Sequence, residues 1–155
     1  MGDLPSMFER FARQIFSSYP ELRTQWEDLK GKGKRLTIYK NDETGFDVVV
    51  QPETYGLYPF AGDWYGPPWE MAETQEVLCK EFLGFILTLL CEDSMLEVRY
   101  AGKNPYEWIL TYPTGNGLQS FETGGFPFNF FGEQSTRTYK NCHLPARYKS
   151  TKEVE

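Results

Sequence analysis

Apolar residues recur at helical spacing near the start of the chain: Phe8, Phe11, Ala12, Ile15 and Tyr19 form one stripe. Pro5 suits a first turn, Glu9 and Arg13 suit a supporting pair on the other side, and Pro20 closes the helix. The next segment, "ELRTQWEDLK" (21–30), fits two periods. Leu22, Trp26 and Leu29 suit a short helix, whereas Leu22, Thr24 and Trp26 suit a strand. The helix is the expectation. "RLTIYK" and "FDVVVQ" then alternate apolar and polar positions around the turn signal "NDETG", which reads as an antiparallel hairpin.

The strongest helical period runs from Pro68 or Trp69 to about Cys91. Met71, Leu78, Phe82, Phe85, Ile86 and Leu89 share a face, with Glu73, Glu76 and Lys80 opposite. Leu83, Leu87 and Leu90 widen the apolar face until little is left for water, the signature of a buried helix. Period two returns in "MLEVRY" and "YEWILTY", and shorter strands are expected in "LQSFE", "FPFNFF" and "STRTYKN". Pro127 places the Phe126, Phe128, Phe130 strand at an edge.

The pattern predicts an α+β fold. It comprises one antiparallel sheet of about five to seven strands, with an N-terminal helix and one long central helix on one face. The order is α-β-β-loop-α-β-meander. No repeat or linker divides the 155 residues, so one domain is expected, with about 145–155 as a solvated tail.

One stretch resists this scheme. Residues 55–70, "YGLYPFAGDWYGPPWE", hold six aromatics, three glycines and three prolines. Rings at that density belong in a core, yet Gly and Pro at that density disfavour helix and strand. The expected solution is a loop that plugs one end of the core with Tyr58, Phe60, Trp64 and Trp69, leaving Tyr55, Asp63 and Tyr65 at the surface. Trp69 and Glu70 would then open the long helix.

Charge sharpens the picture. The net charge is −6, but residues 51–98 alone carry nine acids against one base, Lys80. That middle disfavours polyanions, so nucleic acid is not the expected partner. The acid-free run 134–152, with Arg137, Lys140, Arg147, Lys149 and Lys152, reads as a solvated charged face. Three cysteines, Cys79, Cys91 and Cys142, have no paired spacing and fit free thiols in a reducing compartment. No secretory signal is visible, and the most apolar run, 82–91, is half the length a membrane span needs. A cytoplasmic protein without membrane association is expected.

Motifs for chemistry are sparse. One histidine and no Cys-x-x-Cys leave no expected metal site, and there is no phosphate-binding glycine motif and no nucleophile elbow, so no cofactor is expected. Cys142 and His143 are adjacent, and neighbours on an extended chain point apart rather than meeting as a catalytic pair. With no convergent acid, base and nucleophile, a non-enzymatic role is the expectation.

The candidate binding residues are Tyr55, Tyr58, Asp63, Trp64, Tyr65, Glu70 and Glu73. Tyr and Trp carry much of the energy of protein interfaces, and acids beside rings suit a basic partner or a cationic ligand. The expected function is therefore a protein-interaction module, such as an inhibitor or immunity-type protein for a basic partner. The alternative is a binder of small ligands or carbohydrate, possibly a hydrolase, with the rings lining a closed pocket around Asp63 and Glu70. The segments "PFAGDWYGPPWE", "NPYEWILTY" and "NFFGEQSTRTYKNCHLPAR" are similar in character to small bacterial proteins, a resemblance that implies no catalytic residue. The likeness to toxin-neutralising inhibitors is one of size and charge.

Overall fold

Asp3 starts the first helix. Its carboxylate accepts from the Ser6 N–H at 2.9 Å, and helix α1 (Leu4–Phe16) follows with Pro5 in its first turn. Of the expected stripe, Phe8 and Ala12 are completely buried and Phe11 and Ile15 half-buried, while Tyr19 lies beyond the helix, which stops at Phe16 rather than at Pro20. Leu4 joins the buried face. Glu9 meets Arg13 at 2.8 Å and Lys34 at 3.4 Å. Burial alone would raise its carboxyl pKa, but the hydrogen bonds from both cations outweigh this and hold it below the ordinary range.

The computed structural model describes residues 2–70, 73–124 and 133–144. They fall into two units, one of Met1–Lys40 with Asp47–Leu87 and one of Asn41–Phe46 with Thr88–Glu155. The α+β class holds, with two helices and ten strands among the described residues. The one sheet of about five to seven strands expected from periodicity is two antiparallel sheets, of six and four strands.

The first unit holds the six-stranded sheet. Strands β1 (Thr24–Asp28), β2 (Lys34–Ile38), β3 (Val48–Pro52) and β4 (Gly56–Ala61) follow one another antiparallel. The hairpin of β2 and β3 is as expected, with Leu36 opposite Val50. Residues 24–28, expected to be helical, form a strand instead. Pairing Trp26 with Leu36 satisfies the backbone through β2 and turns the indole toward Phe8, 6.2 Å away. Tertiary pairing overrides the local helical spacing.

The aromatic stretch is also strand rather than loop. It supplies β4, β5 (Trp64–Tyr65) and β6 (Trp69–Glu70), with Phe60 opposite Tyr65 and Leu57 opposite Trp69. Pro59 sits inside β4 without loss because its carbonyl accepts from Gly66 N–H, on the side away from β3. A residue in an antiparallel strand points its N and C=O the same way, so the missing donor faces the gap between β5 and β6. No ladder bond is lost there.

Helix α2 (Gln75–Leu89) begins later than the apolar period implied. Trp69 and Glu70 belong to β6, and Thr74 Oγ1 accepts from Val77 N–H at 3.1 Å, which caps the helix. Phe82, Leu83, Ile86 and Leu89 are fully buried, as a helix apolar nearly all round should be. Phe82 lies edge-on to Phe8 at 6.0 Å and to Trp69 at 5.4 Å, so both helices pack on the sheet face that carries Trp26, Leu36, Val50 and Leu57.

The second unit is a four-stranded sheet ordered β10-β7-β8-β9. Its strands are β7 (Met95–Ala101), β8 (Asn104–Thr114), β9 (Gly117–Gly124) and β10 (Gln134–Tyr139). Leu96 opposes Leu110 and Val98 opposes Trp108, with a bulge between Arg99 and Tyr100. Asn141 ties this unit together: buried, it accepts from Phe46 N–H at 3.0 Å and donates to Leu89 O at 3.3 Å. The expected Phe126, Phe128, Phe130 strand and the expected tail, 145–155, lie outside the described residues. No described helix is long and apolar enough to cross a membrane.

Candidate functional site

Alternation along the strands divides the six-stranded sheet into two faces. The helices occupy one. The other carries Glu27, Arg35, Gln51, Tyr58, Phe60 and Tyr65, as the registers Glu27↔Arg35, Gln51↔Tyr58 and Phe60↔Tyr65 require. Gly56 opposes Glu70 on this same face.

The β3–β4 hairpin closes where Glu53 N–H donates to Gly56 O at 2.8 Å, leaving Thr54 and Tyr55 at the tip. Tyr55 is 82 % exposed, the extreme of the described large apolar side chains. Beside it opens a groove of about 300 Å³ lined by Glu53, Thr54, Tyr55, Gly56, Tyr58, Pro68 and Glu70. Gly56 keeps its floor open. A Cβ there would stand 3.2 Å from the Trp69 carbonyl oxygen and 3.7 Å from Glu70 Cγ.

A chain of hydrogen bonds reaches the groove across the sheet. Arg35 Nη1 donates to Glu27 Oε2 at 3.1 Å, and Arg35 Nη2 donates to Gln51 Oε1 at 3.0 Å. Gln51 Nε2 in turn donates to Glu53 Oε1 at 3.0 Å. Glu53 is thus a held carboxylate on the groove wall, which Glu70 also lines.

Of the seven residues expected at the site, the groove brings together Tyr55, Tyr58 and Glu70. Tyr65, 59 % exposed, lies on the same sheet face, beside Phe60. Asp63 is exposed in the turn between β4 and β5, and Glu73 is exposed ahead of α2; neither lines the groove. Trp64 is placed differently. At 2 % exposure it faces the core, so a ligand at the surface does not meet its indole. Trp69 is likewise turned inward, stacked on Phe85 at 5.2 Å. Sequence reasoning left Glu53, the carboxylate just ahead of the ring cluster, and Gln51 out of the expected site residues. Their signal is the alternation Gln51, Glu53 on the strand that faces Tyr58, which only the register reveals.

The cysteines fall into two environments. Cys79 and Cys91 are buried and Cys142 is exposed, all three as free thiols. Burial pushes the Cys79 thiol from its ordinary value near 9 up to about 11, which suppresses the reactive thiolate. Among the described residues no group of three His, Cys, Asp or Glu side chains converges as a metal site would require. Two carboxylates, two tyrosines and an open floor make a surface suited to holding a cation by charge and ring contact. No protein family, curated protein or solved structure matches the chain.

Proposed function

We propose that this protein is a non-enzymatic interaction module that docks a basic protein partner through the groove at the β3–β4 hairpin and the ring-bearing sheet face beside it. The observation that carries this reading is Tyr55, 82 % exposed at the rim of a groove walled by Glu53 and Glu70. An exposed tyrosine flanked by carboxylates is suited to an interface anchor. The surrounding segment adds long-range attraction, since residues 51–98 hold nine acids and one base. An open groove favours a macromolecular partner over the alternative of a small ligand or sugar, which needs a closed ring-lined pocket. Binding rather than turnover is the activity proposed. The immunity-type role remains the most specific form of this proposal.

The test is affinity capture with the intact chain, followed by identification of the partner and titration calorimetry. A basic partner should be captured, and its affinity should fall at least about tenfold for the pair Glu53→Lys and Glu70→Lys and for Tyr55→Ala. Glu122→Lys, on β9, is the charge-matched control and should change little. A partner that binds all four proteins equally would overturn the assignment of this surface.

A further inference from the structure

We infer that the groove is set for a guanidinium group, and that Gln51 is the positioning residue that sets it; this rests on the docking surface proposed above. The reasoning begins with the amide. Gln51 stands between a cation and an anion and serves both in one orientation only: Oε1 toward Arg35 and Nε2 toward Glu53, each bond 3.0 Å. Arg35 is itself anchored by Glu27 at 3.1 Å, so the amide is not free to turn over. Gln51 therefore fixes the direction of the Glu53 carboxylate. One oxygen, Oε1, is occupied, and Oε2 is left to the groove.

A fixed acceptor rewards a directional donor. Guanidinium is planar and weakly hydrated, carries five N–H donors in a rigid fork, and stacks on tyrosine rings. Ammonium is a compact, strongly hydrated point charge that gains little from a carboxylate held in one direction. Tyr58, opposite Gln51 in the register, supplies the ring wall, and Glu70 supplies a second acceptor from another strand. The missing side chain at Gly56 leaves room between them. At about 300 Å³ the groove lies at the lower end of ligand sites, a size for one side chain rather than a larger ligand. The occupant is an arginine of the basic partner, and the net charge of −6 complements it.

The probes are two capped tripeptides, N-acetyl-Gly-Arg-Gly-amide and its lysine counterpart. Each is titrated at equal ionic strength into the intact isotope-labelled protein and read from the amide resonances of Tyr55 and Gly56. The arginine peptide should shift both resonances and bind at least about fivefold more tightly than the lysine peptide. Gln51→Met keeps the chain length but removes both bonds, and should bring the ratio to about one while the melting temperature stays near wild type. Gln51→Glu adds negative charge and still accepts from Arg35 but cannot donate to Glu53. It should attract both peptides more strongly and still lose the arginine preference. Equal affinities in the wild type, silence at Tyr55 and Gly56, or a preference that survives Gln51→Met would each overturn the inference. A groove that selects arginine, in a protein whose basic partner ignores reversal of Glu53 and Glu70, would instead refute the docking proposal and with it the partner as source of the arginine, while the guanidinium selectivity set by Gln51 would stand.

Discussion

Gly66→Ala tests how tightly the aromatic stretch is packed. Gly66 follows β5, and its N–H donates to Pro59 O at 3.1 Å. A Cβ at this position would stand 2.5 Å from Trp64 Cη2 and 3.2 Å from Pro59 Cγ. The backbone is not in the left-handed region, so the substitution tests the clash and not strain. Trp64, at 2 % exposure, has no solvent side into which its ring can retreat. One inserted methyl in a packed site of this kind costs about 1–3 kcal/mol. For a chain of 155 residues that lowers the melting temperature by roughly 2–12 °C. Gly84→Ala is the control. Inside α2, with no heavy atom within 4 Å of the new Cβ, it should stabilise by about 0.5–1 kcal/mol. The double variant Trp64→Phe with Gly66→Ala removes the ring atoms that clash. In a urea-unfolding cycle it should be at least about 0.5 kcal/mol more stable than the sum of the single changes. Additive single changes, or a Gly66→Ala protein as stable as wild type, would refute the idea that Trp64 is pinned beneath this turn.

Three further outcomes are expected. Phe85→Ala removes a buried ring that stacks on Trp69 at 5.2 Å, and should cost about 3–5 kcal/mol in chemical denaturation; a midpoint that barely moves would show α2 to face elsewhere. Tyr65→Ala and Asp63→Ala, both at exposed positions, should stay within about 0.5 kcal/mol of wild type in thermal melts while weakening partner binding, with Asp63→Lys weaker still. A thiol reagent at pH 8 should label Cys142 and spare Cys79. Because the folded Cys79 thiol holds its proton to about pH 11, against near 9 when exposed, stability should fall as pH rises through that interval; Cys79→Ala should flatten the fall.

The elements that sequence patterning captured are those whose own period decides their fate. In α1, Asp3, Pro5 and the stripe through Phe8 and Ala12 all act within a few turns. In α2, Phe82, Phe85, Ile86 and Leu89 are apolar at helical spacing and are buried as that spacing demands. Patterning failed where a distant partner decides. Trp26 fits either period until β2 supplies Leu36 opposite it. Pro59 reads as a strand breaker until its nitrogen is seen to face the gap between two short strands that residues 64–70 provide. Trp69 reads as the first turn of a helix because nothing local shows that Leu57 will claim its backbone, although Thr74 was available as a cap. Asn141 gave no signal, since its two bonds reach across 95 and 52 positions.

The same distinction explains which part of the candidate site was legible. Ring density singled out the stretch from Tyr55 to Glu70, but density does not say which ring faces water. Pairing does. Once β4 lies against β3, alternation turns Leu57, Pro59 and Ala61 inward and leaves Tyr58 and Phe60 on the opposite face, while Trp64 follows Ala61 into the core. The glycines and prolines that argued against a strand are what permit it. Gly66 lets the backbone pass over the Trp64 ring, and Gly56 makes room for Glu70. The rings held inward and the rings presented outward therefore belong to one construction. A substitution that displaces Trp64 should loosen the hairpin carrying Tyr55 and Glu53, and weaken binding even where no contact residue has changed. Measuring partner affinity on Gly66→Ala, at a temperature where it is fully folded, separates the two effects. A loss of affinity there, with Tyr55, Glu53 and Glu70 all intact, would show that the plug shapes the groove; full affinity would show that the hairpin keeps its form without it.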